Sequence, residues 1–527
     1  MGLLLEASNI THFIRDRKLI ATETLRIHKG DRIGLVGKNG SGKTTLLQIL
    51  AQKNTAETGK ITLYGTIELV PQLKQMNTTK SGGEVTQAYI NTALASNADI
   101  LLADEPTTNL DTFHIEKVEK QLQKWKGALI LVSHDREFLD TLCTSIWELE
   151  DGSITEYKGN YSDYQQQKEL KLYQQEQAYE NYVKKKTQLE EALELKEKKA
   201  QRATKKPKQT SNSEAKITGA KPYFANKQKK LRKAAKAMET RLEKLEKVEK
   251  VKETTPIKMN LPNEDAINNR RSLIRVENLE GQIDQRLLWN KVSFQIKGGD
   301  KIAIIGANGT GKTTLIKKLL HQTKQIHHSP AMKIGYFSQN LDVLDTSKSI
   351  LQNVSDTSNQ TETLIRTVLA RLHFYRDDVY KQVAVLSGGE RVKVAFAKLF
   401  VSDINTLILD EPTNFLDIEA VEALEELLVD YEGTVLFVSH DRRLIHTVAT
   451  RIMAFEDQTI KMFMGTYEDY KQDTNVSNQD STEQELMVIE TKITEVLGKL
   501  SLEHSEQLEQ EFQALIARKG ELQRTKA

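Results

Sequence analysis

The sequence predicts an α/β fold made of two tandem copies of one domain, joined by a long α-helical hairpin and followed by a helical extension. Three observations carry this. Four blocks recur in one order: IGLVGKNGSGKTT (33–45) returns as IAIIGANGTGKTT (302–314), KSGGE (80–84) as LSGGE (386–390), LLADEPTTNLD (101–111) as LILDEPTNFLD (407–417), and ILVSHDREFL (130–139) as LFVSHDRRLI (436–445). Ordered recurrence of this kind marks a tandem duplication. Within each copy, strand-like apolar runs alternate with helical patterns, as a mostly parallel sheet requires. Between the copies, a stretch poor in Gly and Pro breaks that alternation.

The first block of each copy is a strand, a Gly-rich turn and a helix. GKNGSGKT (37–44) and GANGTGKT (306–313) match the P-loop pattern. A polyphosphate needs a concave row of backbone N–H groups at a helix N-terminus, and only Gly lets the chain turn that tightly. The candidate nucleotide residues are Gly37, Lys38, Asn39, Gly40, Ser41, Gly42, Lys43, Thr44 and Thr45, and in the second copy Gly306, Ala307, Asn308, Gly309, Thr310, Gly311, Lys312, Thr313 and Thr314. Lys43 and Lys312 would reach the β- and γ-phosphates, and Thr44 and Thr313 would offer a hydroxyl to Mg2+. A single match could be an accidental turn; two, each with the same downstream blocks, argue against accident.

The later blocks supply chemistry. The strands ending at Asp104 and Asp410 place a carboxylate to hold Mg2+ through water. Glu105 and Glu411 follow at once, where a carboxylate can polarise the water that attacks a γ-phosphate; the alternative is that they balance local charge. His134 and His440 each end an apolar strand. A lone His there is ordinarily structural, but the repeated SHDR context points to a γ-phosphate contact. Gln72 (VPQ) and Gln339 (FSQ) are further candidates for Mg2+ and water. Ser81, Gly82, Gly83 and Glu84, and Ser387, Gly388, Gly389 and Glu390, are short N–H-rich turns opening helices, again anion sites by geometry. One domain cannot close its P-loop and this turn on the same nucleotide, whereas two domains facing head to tail can.

These motifs resemble the ATP-binding cassette (ABC) family, whose signature is SGG[EQ]. The resemblance covers both halves and implies two ATPs with Mg2+ sandwiched between the domains. One would lie between 37–44 and 387–390, the other between 306–313 and 81–84. It implies an ATPase that cleaves ATP to ADP and phosphate, with Glu105, Glu411, His134 and His440 as the catalytic set. The first copy departs from the family pattern. Lys43 to Ser81 is 38 residues, against 75 from Lys312 to Ser387, which leaves little room for a helical subdomain. The base-stacking aromatic is also indistinct: His12 or Phe13 serves in the first copy, and no aromatic is read near Gly281 in the second.

The region between the copies is the most basic part of the chain. Residues 196–252 carry 20 Lys and Arg against 6 Glu and no Asp, a net +14, while the whole chain is only +2. Such a block suits a polyanionic partner, or is a solvated helical face. Residues 163–203 and 226–253 read as long helices, the second with an apolar seam of Leu231, Met238, Leu242, Leu245 and Val248. Pro207, Gly219 and Pro222 are read as breakers that put 205–225 at the tip of an antiparallel hairpin. The expected domains are therefore 1–160 and 257–472 for the two cassettes, 161–256 for the hairpin and 473–527 for a helical extension centred on 482–525.

A single cysteine, Cys143, excludes an internal disulfide and a Cys-based zinc site, and fits a reducing, cytoplasmic setting. The N-terminus MGLLLEASNITHF reads as neither a signal peptide nor a myristoylation site, since Glu6 stands where Ser or Thr is needed. No run of 18 apolar residues is present.

Two cassettes in one chain, no membrane span and a charged helical linker resemble the ABC-F class. The short first domain, EPTTNLD and EPTNFLD, the run QRATKKPK…GAKPYFA and the C-terminal TKITEVLGKLS…ELEQEFQ look like its Vga group of antibiotic-resistance factors. That resemblance implies ribosome protection against lincosamides, pleuromutilins and streptogramin A compounds. The protein would act as a monomer whose two domains pair. It would bind the ribosomal E site, and its linker would reach 23S rRNA near the peptidyl-transferase centre and displace the P-site tRNA there. Lys216 and Lys221 would contact RNA phosphates without reading sequence. Tyr223 and Phe224 would stack on unpaired bases, or staple the loop onto its own helices. A housekeeping ABC-F translation factor is the alternative. An exporter subunit fits less well, because the first helical region is short and the hairpin basic.

Overall fold

The computed structural model describes residues 2–14, 17–72, 82–108, 110–202, 220–243, 272–283, 286–338, 344–414 and 416–473, with isolated residues at 245, 247 and between 489 and 516. They fall into two units: residues 1–156 with 257–527, and residues 157–256.

The first unit holds both repeats, each a six-stranded sheet with one strand order. In the first copy the order is Ile67–Val70, Ile100–Asp104, Ala128–Val132, Arg32–Val36, Ser145–Glu150, Ser153–Lys158. In the second it is Ile334–Phe337, Thr406–Asp410, Thr434–Val438, Lys301–Gly306, Arg451–Glu456, Thr459–Met464. The first five strands of each run parallel. The inner strands ILLAD, ALILV, TLILD and TVLFV are buried at every position, as a parallel sheet covered on both faces demands. Beside each sheet lies a three-stranded antiparallel sheet, Arg17–His28 with Leu3–Ile14 and Thr58–Leu63, and Arg286–Lys297 with Ser272–Ile283 and Ile326–His328. The duplication read from four motifs thus extends to the whole topology.

The copies differ where the spacing said they would. Between Phe337 and Thr406 the second copy has the helices Ile350–Ser355, Glu362–Arg371 and Gly388–Phe400 and two short 3-10 turns. Between Val70 and Ile100 the first copy has, among the described residues, only the helix Gly82–Ala95. The extra helices join a large apolar cluster around Phe396, which stacks on Phe337 with ring centroids 4.3 Å apart.

The second unit is built on two helices, Tyr161–Arg202 and Ala220–Glu243, which pack on each other. Pro222 does not break the chain: it lies in the first turn of Ala220–Glu243, where a missing N–H costs nothing and the fixed φ suits a helix. Lys221, Tyr223 and Phe224 therefore belong to a helix start, not to a loop over 205–225. Lys216 lies outside the described residues, as does 203–219 as a whole. Of 473–527, the described residues beyond 473, including Ile489, Ile493, Val496, Phe512 and Ile516, are all helical. No helix among the described residues is long and apolar enough to cross a membrane.

Candidate functional site

Each P-loop leaves the C-terminal end of its central strand and runs into a helix, Lys43–Leu50 or Lys312–Leu319. The residue before each helix, Gly42 or Gly311, has φ +108 or +102, in the left-handed region open to Gly. A Cβ on Gly42 would stand 2.7 Å from Leu19 Cγ, and one on Gly311 2.7 Å from Trp289 Cζ3. Trp289 also covers Gly281, so an aromatic does stand there. It arrives from the neighbouring strand and is fully buried, which makes it a support for the loop and removes it as a base-stacking surface.

The lysine of each loop folds over its own turn. Lys43 Nζ donates to Gly37 O at 2.7 Å and Lys38 O at 3.1 Å. Lys312 Nζ donates to Gly306 O at 2.8 Å and Ala307 O at 3.0 Å. Burial lowers the pKa of both, and the carboxylates of Glu105 or Glu411 oppose that shift. Thr313 Oγ1 donates to Asp410 Oδ1 at 3.1 Å, and Thr44 stands equally by Asp104. Burial raises the pKa of both aspartates, with these hydroxyls pulling the other way.

Glu105 and Glu411 follow these aspartates with φ +53 and +50, a conformation a non-Gly residue adopts only at a cost. It aims each carboxylate at the histidine of the adjacent strand. His134 Nε2 is 3.2 Å from Glu105 Oε1, and His440 Nε2 is 3.2 Å from Glu411 Oε1. Burial pushes Glu105 up to about 8 and Glu411 to about 7, and pushes His134 down to about 4 and His440 to about 3. Burial thus disfavours the charged form of both partners, so near neutral pH neither pair is a fully charged ion pair.

The signature turns are less directly placed. Ser387 caps the helix Gly388–Phe400 in a capping box: Glu390 N donates to Ser387 Oγ at 3.3 Å, and Ser387 N to Glu390 Oε2 at 2.8 Å. The Glu390 carboxylate is thereby turned back on its own helix start. In the first copy Gly82, Gly83 and Glu84 begin the helix Gly82–Ala95, and Ser81 lies outside the described residues. Gln72 is exposed, two residues past a strand whose Val70 pairs with Ala103, which puts it at the same C-terminal end of the sheet as Asp104. Gln339 lies outside the described residues.

Two aspartates that are not among the candidates read from the sequence bring the copies together. Asp417 Oδ2 accepts from Asn39 N in the first P-loop at 3.3 Å, and Asp111 Oδ2 accepts from Asn308 N in the second at 2.9 Å. Each aspartate also N-caps the helix that follows it, Ile418–Asp430 or Thr112–Gln123. The signal lay in the final Asp of EPTTNLD and EPTNFLD, seven residues after Asp104 and Asp410 in both copies. The two interfaces are not identical. Lys38 Nζ lies 3.5 Å from Glu419 Oε2 and Lys393 Nζ 3.6 Å from Asp417 Oδ1, while in the other half His114 Nδ1 is 2.7 Å from Asp111 Oδ1.

Comparison with known proteins agrees with this arrangement. A family model described as ABC transporter matches residues 21–69 and 289–414, and a second of that description matches 147–217. The chain is 30% identical to the ribosome protection protein VmlR of Bacillus subtilis, covering 99% of each protein. It is 35% identical to the erythromycin resistance ATP-binding protein MsrA of Staphylococcus epidermidis, over 86% of this chain and 98% of that one. Among solved structures, the complex of archaeal ribosomal stalk protein aP1 with the ribosome recycling factor aABCE1 has a similar fold, with TM-score 0.58 at 19% identity over 89% of this chain and 92% of that one. Duplicated topology, paired P-loops and these relatives together place the chain in the ABC-F family of ATP-binding cassette proteins.

Proposed function

We propose that this protein is an ATP-dependent ribosome protection factor of the Vga type. The observation that carries the reading is the similarity to a ribosome protection protein from end to end, linker included. The cassettes would span 1–160 and 257–472, the effector linker 161–256, and an accessory extension 473–527. The protein would act in the cytoplasm, at the ribosomal E site. Its basic linker would reach toward the peptidyl-transferase centre, where it would contact 23S rRNA, displace the P-site tRNA and dislodge lincosamide, pleuromutilin or streptogramin A drugs.

Each ATP would sit on one P-loop and be covered by the other domain. Lys43 and Lys312 would leave their own loop carbonyls for the phosphates, an exchange their buried position favours once a polyanion is present. Mg2+ fits the oxygen donors offered. Thr44 with Asp104, and Thr313 with Asp410, supply one hydroxyl and one carboxylate each, the sparse protein share this ion takes beside substrate phosphates. Asp104 Oδ1 is buried with no hydrogen-bond partner, as a ligand atom awaiting its ion would be. The ion would neutralise phosphate charge. Glu105 and Glu411 would orient the attacking water and accept its proton, and His134 and His440 would hold them and touch the γ-phosphate.

ATP can drive such a cycle only through different affinity for the open and closed forms. Glu105→Gln with Glu411→Gln keeps ATP binding, stops turnover and traps the protein on ribosomes. Co-sedimentation no better than wild type with ATP present refutes the gating scheme. Shortening 209–224 spares ATPase activity and abolishes protection of a susceptible host against lincosamides and pleuromutilins. A full-length protein that gives no protection at all is a housekeeping ABC-F factor.

A further inference from the structure

Beside the P-loop contacts the two copies share a second reciprocal contact. Arg136, the last residue of the first SHDR, is 1% exposed. Its Nη1 donates to Glu425 Oε2 at 2.9 Å and its Nη2 to Glu425 Oε1, across 289 residues and into the other copy. Glu422, one turn earlier on the same helix, lies 3.6 Å away. The second SHDR repeats the arrangement. Arg442, 3% exposed, donates from Nη2 to Glu119 Oε2 at 3.0 Å, with Glu137 at 3.3 Å and Asp135 at 3.7 Å. Glu119 and Glu425 stand at matching places, each eight residues past the aspartate that holds the opposite P-loop.

These contacts close a ring around each hydrolytic site. Arg136 grips Glu425, on the helix Ile418–Asp430. That helix begins at Asp417, which accepts from Asn39 N in the first P-loop. Two residues back from Arg136 is His134, 3.2 Å from Glu105. The other ring runs from Arg442 through Glu119 and the helix Thr112–Gln123 to Asp111 and Asn308 N. It returns through His440, which meets Asn308 Oδ1 at 3.1 Å and Glu411 at 3.2 Å. A buried guanidinium stripped of its carboxylate is strongly disfavoured, so each grip is made or lost as a whole when the domains move. In the Arg136 grip the bidentate fork also fixes the angle of the helix Ile418–Asp430, which a single point charge would not.

We infer that Arg136 and Arg442 are positioning residues for hydrolysis. Each keeps the His–Glu pair of its own domain in register with the P-loop contact made by the opposite domain, so turnover at either site requires closure at both. This rests on the reading of the protein as an ATPase with interfacial sites.

The test uses the full-length protein carrying Arg136→Met, Glu425→Gln, their combination, Arg136→Lys, and Glu119→Gln for the other ring. ATPase rate is measured against ATP concentration, together with binding of a fluorescent ATP analogue and thermal stability. Arg136→Met and Glu425→Gln each lower kcat about tenfold and bring the Hill coefficient toward one, with analogue affinity held within about twofold. The combination is no worse than either change, because both break one contact. Arg136→Lys recovers part of kcat. If an Arg variant does not fold, Glu425→Gln and Glu119→Gln decide alone. Wild-type kcat and cooperativity in these variants, with only a lower Tm, overturn the inference and leave a structural contact. A wild-type protein without ATPase activity, or full turnover in Glu105→Gln with Glu411→Gln, overturns the ATPase reading instead.

Discussion

Replacing Glu411 by Gln should stabilise the nucleotide-free protein, and by more as pH rises. Burial lifts this carboxyl from its ordinary 4.5 to about 7. Below pH 4.5 the folded and unfolded chains both hold the proton, and Gln is a near-neutral replacement. Between 4.5 and 7 the unfolded chain ionises while the folded one keeps its proton, so wild-type stability drains away as pH climbs. Above about 7 both are ionised and the loss is complete. At about 1.4 kcal/mol per pH unit the full effect is about 3 kcal/mol as an upper bound. Gln carries no charge and escapes it. His440, pushed down to about 3 by burial, stays unprotonated in the folded chain across this range and so does not produce the pH-dependence. Urea unfolding at pH 5, 6, 7 and 8 measures this, with the fully buried Trp289 as a fluorescent reporter in the same copy. A difference that does not change with pH, or a Gln variant less stable at pH 8, would mean that Glu411 is ionised and favourably paired, and the burial argument would fail.

Other expectations follow from the same geometry. Glu105→Gln should act likewise but keep gaining up to pH 8, since that carboxyl is raised to about 8, which the same urea series reads out. Trp289→Ala should cost about 3–5 kcal/mol and weaken nucleotide binding at the second P-loop, seen by denaturation and by nucleotide titration. Gly311→Ala should lose that binding more sharply. It adds about 1–2 kcal/mol of left-handed strain to an overlap with Trp289 that the buried ring cannot yield to. Asp417→Ala should cost about 1 kcal/mol as a lost helix cap and, in steady-state kinetics, raise the ATP concentration needed for turnover.

Much of this architecture could be read from local patterns. The P-loops, the strands ending in Asp-Glu and the shortened first domain each depend on residues close together in sequence, with a mechanism for each spacing. The structure adds what local reading cannot reach. Nothing in LLADEP or LILDEP says that Glu105 and Glu411 sit at positive φ, because that strain is held by the histidine strand beside them. Trp289 supports Gly311 from another strand, so a search for an aromatic near Gly281 along the chain misses it. The Arg136–Glu425 contact spans 289 residues, and any Arg on an amphipathic helix pattern reads first as solvated surface. Pro222 is ambiguous for a different reason: proline ends helices and also starts them, and only the position of the turn tells which.

The helix Tyr161–Arg202 has 42 residues, which at 1.5 Å each makes a rod about 63 Å long. On such a rod, one degree of tilt at its first turn carries the far end sideways by about 1 Å. A displacement of atomic size at the base is thus geared up to the width of a nucleotide base several degrees later. Length alone would let such a rod amplify a tilt at its base, and insertions or deletions of a few residues along it would retune that throw.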